Sequence, residues 1–192
     1  MHGVILVELK KFVEARLGET AWEELQGLSG LAGRVYLPVQ EYPDSEVEAL
    51  LERTMERARL DRDGLEQEFG EFMAPDLLRM YGSLLERGWK TFEVVEHAGA
   101  TIHRVMRARN ADARALRLSA ERTPADTLLV SYASERRMCG LAKGIVRGLA
   151  RHFRERVSVA ESACMRQGAP ACRIELRRTG DPAQRPEDLR PG

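Results

Sequence analysis

The chain's 192 residues are enough for one large domain or one domain with a tail, and its 43% hydrophobic and 31% charged content is that of a soluble globular protein. Thirty Lys and Arg balance thirty Asp and Glu, so no net charge argues for a nucleic acid or a membrane surface as partner. No apolar run reaches the length of a membrane span, the opening MHGVILVELKKF lacks a basic export signal, and three cysteines are too few for a secreted disulfide scaffold, so the chain reads as cytoplasmic.

In chain order, Ile5, Leu9, Phe12, Val13 and Leu17 recur at helical spacing and predict a first helix over residues 3–17. A second fits ETAWEELQGL, with Trp22, Leu25 and Leu28 on one face. VYLPVQEYPDS carries two prolines and reads as a loop. Ser45 and Glu48 then have the spacing of a capping box ahead of EVEALLERTMERARL. DRDGLEQEFGEFMAP and DLLRMYGSLLERG predict two short helices parted at Pro75, and TFEVVEHAGATIHRVM predicts the last helix of this half.

After Met106 the pattern changes. ALRLSAER alternates as a half-buried strand does, and DTLLVSYAS is the next strand. RMCGLAKGIVRGLARHF is a helix with Leu141, Ile145, Leu149 and Phe153 on its buried face. Gly140, Gly144 and Gly148 clear a strip on it for close approach of another backbone. RVSVAES and CRIELRR predict two further strands joined around GAPA. Residues 179–192, rich in Pro and charge, predict a disordered tail. The layout is α+β: an N-terminal helical half, then an antiparallel sheet packed with a helix.

Tyr132, Ser134 and Arg136 stand at every second position where the second strand ends. On one extended strand, a phenol, a hydroxyl and a guanidinium would line one edge. Their donors suit an anion with several acceptor oxygens. From spacing alone the trio reads more readily as the polar outer face of a half-exposed strand, where alternation is the rule.

In its context the trio resembles the Tyr-x-Ser-x-Arg signature of the haem-nitric oxide/oxygen binding (H-NOX) family of bacterial gas sensors. The opening Met-x-Gly, the helix carrying TIHRVM, the trio and the KGIVRGLARHF helix follow in family order. The resemblance spans residues 1–178 as a single sensor domain. It implies haem b between the two halves, its propionates held by Tyr132, Ser134 and Arg136 and its iron by His103. A lone helical histidine is otherwise more often a surface residue, but Ile102 and Met106 give His103 apolar neighbours in sequence.

The distal positions implied by the resemblance are Ile5, Leu9, Leu141 and, less directly, Leu77, all apolar. Bound dioxygen needs a hydrogen-bond donor and nitric oxide does not. The expectation is therefore a nitric oxide sensor that also admits CO and holds no stable oxygen. As plain core residues these side chains would look the same. The family's haem-distorting proline is missing: NADARALRL places Ala115 or Leu116 there, which predicts a flatter haem.

Cys139, Cys164 and Cys172 bracket a predicted helix and a strand–turn–strand, so folding can gather them near the end of that helix. Some members of the family hold zinc with three cysteines and a histidine as a redox switch. Here the histidine's place falls on Glu161, with His152 or water as other fourth ligands. The implied output is a separate partner, a histidine kinase or a cyclic-di-GMP enzyme. No nucleophile–base pair, phosphate loop or acid pair supports catalysis. Two alternatives stay open. One is a haem-free zinc–thiolate redox module. The other is a binding module for another tetrapyrrole or apolar molecule, since AESACMRQGAPACRIEL also resembles 4-vinyl reductase domains.

Overall fold

A computed structural model of the chain describes residues 1–109, 116–123 and 126–179; for residues 101–109 it gives the helix without the side chains. Helix α1 (Gly3–Leu17) buries Leu6, Leu9, Phe12 and Val13, and the His2 imidazole accepts a hydrogen bond from the Val4 amide at 3.4 Å. Gly3 is required where it stands, because a Cβ there would collide with the Leu37 carbonyl. Helix α2 (Ala21–Leu28) adds Trp22 and Leu25 to the same core.

Helix α3 (Asp44–Ala58) corrects the predicted capping box. The helix begins two residues earlier, after Pro43, and has no side-chain cap, so Ser45 already lies inside its first turn. Glu48 instead takes the Arg62 guanidinium at 2.5 and 2.9 Å. Helix α4 (Arg62–Tyr81) corrects a second expectation: the two short helices are one, with Pro75 inside it. A proline there removes the bond to the carbonyl four residues back. That carbonyl, of Glu71, lies against Gly148 of the helix packed alongside, and the pyrrolidine ring itself is exposed.

Helix α5 (Thr91–Arg109) leads to strand β1 (Arg117–Thr123) and strand β2 (Thr127–Ala133). Helix α6 (Cys139–His152), strand β3 (Val157–Ala163) and strand β4 (Cys172–Arg178) follow. The sheet runs β1-β2-β4-β3 and every neighbouring pair is antiparallel. Leu128, Val130 and Tyr132 of β2 and Cys172, Ile174 and Leu176 of β4 are buried at alternate positions, forming the apolar face of the sheet.

Two apolar clusters meet at α6. Leu141 belongs to the cluster of α1–α4, Val146 and Leu149 to the cluster of α5 and the sheet, and Ile145 touches both. The glycine strip on α6 faces α4. A Cβ on Gly140 would stand 2.8 Å from the Asp63 carbonyl, one on Gly144 2.8 Å from Gln67 Cα, and one on Gly148 2.5 Å from Ala74 Cβ. Gly70 of α4 answers from the other side, 2.5 Å from the Leu141 carbonyl by the same measure. The backbones of α4 and α6 therefore approach as closely as the sequence anticipates. Residues 180–192, which carry most of the expected tail, and residues 110–115, which include Ala115, lie outside the described residues. Leu116 is partly buried against the sheet cluster.

Candidate functional site

The donor trio does not sit on one strand. Strand β2 ends at Ala133, and Ser134 and Arg136 belong to the turn that follows. The Arg137 amide closes that turn on the Ser134 carbonyl at 3.0 Å, and Arg137 itself has a φ of 50°. The turn is needed because α6 starts only two residues after Arg137, leaving no length for a longer strand. Tyr132 is buried, Ser134 and Arg136 are half-buried, and the three are brought together by a strand end and a turn.

Each member of the trio can donate. Burial, only partly offset by the neighbouring Ser134, pushes the Tyr132 phenol up to about 12, so it keeps its proton at neutral pH. The Ser134 hydroxyl accepts the Arg136 amide at 3.3 Å. The Arg136 Nε donates to both Asp44 carboxylate oxygens, at 3.0 and 2.9 Å, and the Met1 ammonium sits 2.7 Å from the same carboxylate. The guanidinium thus already engages a carboxylate, the chemistry that a propionate would present. The donor set fits a dicarboxylate cofactor.

His103 lies on α5, four residues beyond Gly99, where a Cβ would collide with the Leu118 carbonyl of β1. That contact sets α5 close against the sheet one helical turn before His103. The His103 side chain is outside the described residues. His97, on the same helix, is exposed and stacks on Trp89 at 4.1 Å between ring centroids, which removes it as a competing ligand. Leu9 and Leu141 are buried in the α1–α4 cluster, and Ile5 and Leu77 are partly buried against it. Phe12 packs on Phe69 and Phe72 in the same region, with centroids 5.5 and 5.6 Å away.

The three cysteines do come together, but at the start of α6 rather than near its end. The ligand atoms of Cys139, Glu161, Cys164 and Cys172 all lie within 4.8 Å of one another. The Cys139 and Cys172 sulfurs are 3.0 Å apart, and the Met165 amide points at the Cys172 sulfur at 3.3 Å. Burial holds the Cys139 and Cys172 thiols above their usual range in the metal-free protein. Glu161 is the carboxylate at this cluster. Its Oε2 accepts Lys143 Nζ at 3.0 Å, while its buried Oε1 has no hydrogen-bond partner. An orphan carboxylate oxygen beside three sulfurs fits a metal ion. His152 is exposed at the far end of α6, about 20 Å along a helix of this length, and does not join the cluster.

Sequence reasoning missed the charged groups that knit this region. Glu66 of α4 is fully buried and accepts the Gly140 amide at 3.0 Å and the Leu141 amide at 3.4 Å, supplying the cap that α6 lacks of its own. Arg62 and Arg166 both donate to Glu66, and Arg166 also donates to the Arg137 carbonyl at 3.0 Å. The cradle and the cysteine cluster share these supports. Tyr132 is paired across the sheet with Cys172, and Cys139 follows Arg136 by three residues.

This fold, with a donor trio at the junction of a helical half and an antiparallel sheet, defines a class. The family model described as Haem-NO-binding matches residues 2–161, and the chain belongs to that family of haem-based gas sensors. Among solved structures it is similar to an H-NOX protein from S. oneidensis in the Fe(II)NO state, with a TM-score of 0.85 and 23% identity, covering 94% of this chain and 100% of that one. It is also similar to an H-NOX protein of T. tengcongensis, with a TM-score of 0.84 and 19% identity, covering 94% of this chain and 98% of that one. No curated protein matches the chain.

Proposed function

We propose that residues 1–178 form one haem-based nitric oxide sensor domain that regulates a separate signalling protein. The observation that carries this reading is the set of donors at the helix–sheet junction, with a guanidinium already holding a carboxylate. Haem b, when bound, supplies the iron on which the gas binds. In this reading His103 holds the iron, and Tyr132, Ser134 and Arg136 hold the propionates. Arg136 then exchanges the Asp44 carboxylate for a propionate. Ile5, Leu9 and Leu141, with Leu77 at the margin, keep donors away from the gas. Such a wall suits nitric oxide and CO and gives oxygen no hydrogen bond.

The second input in this reading is Cys139, Cys164, Cys172 and Glu161 holding zinc. Zinc, when bound, supplies a cross-link between α6 and the β3–β4 hairpin. Cys139 and Cys172, whose sulfurs lie 3.0 Å apart, would be the pair joined when a peroxide oxidises an opened cluster. Two thiolates surrender two electrons and form a sulfur–sulfur bond, while the peroxide takes two protons and leaves as water. Joined in that bond, Cys139 and Cys172 would no longer be available to hold a metal. The output is a protein contact, to a histidine kinase or a cyclic-di-GMP enzyme, with no catalytic step in this chain and no nucleic acid or membrane partner. The cytoplasm suits such a sensor, and none of the described helices is long and apolar enough to cross a membrane.

Haem titration into the haem-free chain, with its zinc content measured alongside, tests the cofactor assignment. Wild type should saturate at one haem per chain. His103→Ala should lose the five-coordinate ferrous spectrum, and Arg136→Met should weaken retention of haem. Saturation with unchanged spectra in His103→Ala would overturn the ligand assignment. Failure to take up haem, with about one zinc present, would leave the redox module in its place.

A further inference from the structure

We propose that Lys143 is a positioning residue for a Cys3Glu metal centre: it holds one oxygen of Glu161 so that the other is presented to Cys139, Cys164 and Cys172. The proposal rests on the metal reading of that cluster. Lys143 is an unusual residue for its place. It stands on a largely buried helix, four residues after Cys139 and therefore on the same face, and is 8% exposed.

Its ammonium lies 3.0 Å from Glu161 Oε2 and 2.9 Å from Asp63 Oδ1. Glu161 Oε1, buried and without a hydrogen-bond partner, remains. The carboxylate thus meets a cation through one oxygen and keeps the other buried without a partner, in a cluster whose ligand atoms all lie within 4.8 Å of one another. The charge balance points the same way. Three thiolates and a carboxylate carry four negative charges against two on zinc, and an excess buried in protein is costly unless a fixed cation lies beside it. Lys143 meets that need without touching the ion. Asp63 in turn fixes Lys143 to α4, so the shell around the centre reaches across the α4–α6 interface.

The bland reading makes Lys143 a structural bridge between Asp63 and Glu161 with no bearing on metal. The two readings separate in a competition titration of zinc against a chromophoric chelator, using the full chain. Lys143→Met and Lys143→Gln should weaken zinc binding about 10–100-fold, the effect usual for a group that orients a ligand. Lys143→Arg should restore most of it. In a Glu161→Gln background the Lys143 substitutions should add less than about twofold, because the oxygen they orient is no longer a charged ligand. With Co(II) in place of zinc, the visible ligand-field bands of Lys143→Gln should shift or weaken.

Binding within about twofold of wild type in both Lys143→Met and Lys143→Gln would overturn the proposal. So would an equal loss in the Glu161→Gln background, which would mark a packing effect. Absence of zinc binding by the wild type would instead overturn the Cys3Glu centre itself, and the role of Lys143 with it.

Discussion

Glu93 ties the start of α5 to the sheet. It accepts Arg122 of β1 at 2.9 Å, the Lys90 amide at 3.1 Å and Arg178 of β4 at 3.5 Å. Partial burial pushes its carboxyl up, but these donors outweigh it and hold the group down at about 2, from an ordinary 4.5. A carboxylate whose folded value is depressed stabilises the fold above its unfolded value and loses that effect as pH falls through the folded one. The contribution is therefore complete above pH 4.5 and gone near pH 2. Glu93→Gln should cost about 2 kcal/mol at pH 7, after allowance for solvent screening, and less than half as much at pH 3. Denaturant unfolding at the two pH values measures this, and a constant gap would contradict the pairing.

Legibility in the sequence was uneven at this scale. The donor types of the cradle and the three cysteines were visible, but only the family resemblance gave them, and Glu161 beside them, a role. Their partners were not visible. Glu66, Asp44 and Arg166 come from distant segments, and nothing in their local sequence marks them as buried or paired. Lys143 carried only a weak signal, a charge four residues after Cys139 on a helix that also bears Arg147 and Arg151.

Among the elements, α6 organises the rest. Its glycine strip was readable because small residues at a spacing of four on an amphipathic helix have one common purpose, close approach. The continuous α4 was not readable. Pro75 normally ends a helix, yet α4 runs through it, with Glu71 backbone packed against Gly148 and the ring left in solvent. The capping box at Ser45 failed for a similar reason: Pro43 had already set the helix start, and Glu48 had a stronger partner in Arg62.

Two predictions belong to this scale. Gly144→Ala raises helix propensity by about 1 kcal/mol, yet places a Cβ against Gln67 backbone, and should destabilise the protein by about 2 kcal/mol net. Thermal unfolding decides it, and a higher melting temperature would show that α4 and α6 can separate freely. Glu66→Ala leaves Arg62, Arg166 and two α6 amides without their buried acceptor, and should cost about 3–5 kcal/mol. A loss under 1 kcal/mol in denaturant unfolding would contradict the network.

Across the whole molecule, the cradle and the cysteine cluster form one structural unit. Tyr132 and Cys172 are cross-strand partners, Arg136 and Cys139 flank one turn, and Glu66 serves that turn and the start of α6. In the proposed reading, a change at the cysteine cluster therefore meets Tyr132, Arg136 and Leu141 through two short paths. Removing zinc with a chelator should lower the melting temperature of the haem-loaded protein and shift its Soret band slightly. An unchanged melting temperature would separate the two sites.

The central claim is that this chain is a haem sensor whose apolar distal wall admits nitric oxide and denies oxygen a hydrogen bond. An absorption spectrum of the reduced, haem-loaded protein under nitrogen, in air and with nitric oxide tests it most directly. The account predicts a Soret band that moves with nitric oxide and, in air, stays that of the unliganded ferrous protein or decays to the ferric one. A stable oxygenated spectrum in air would contradict the apolar wall, and a protein that takes up no haem would contradict the sensor itself.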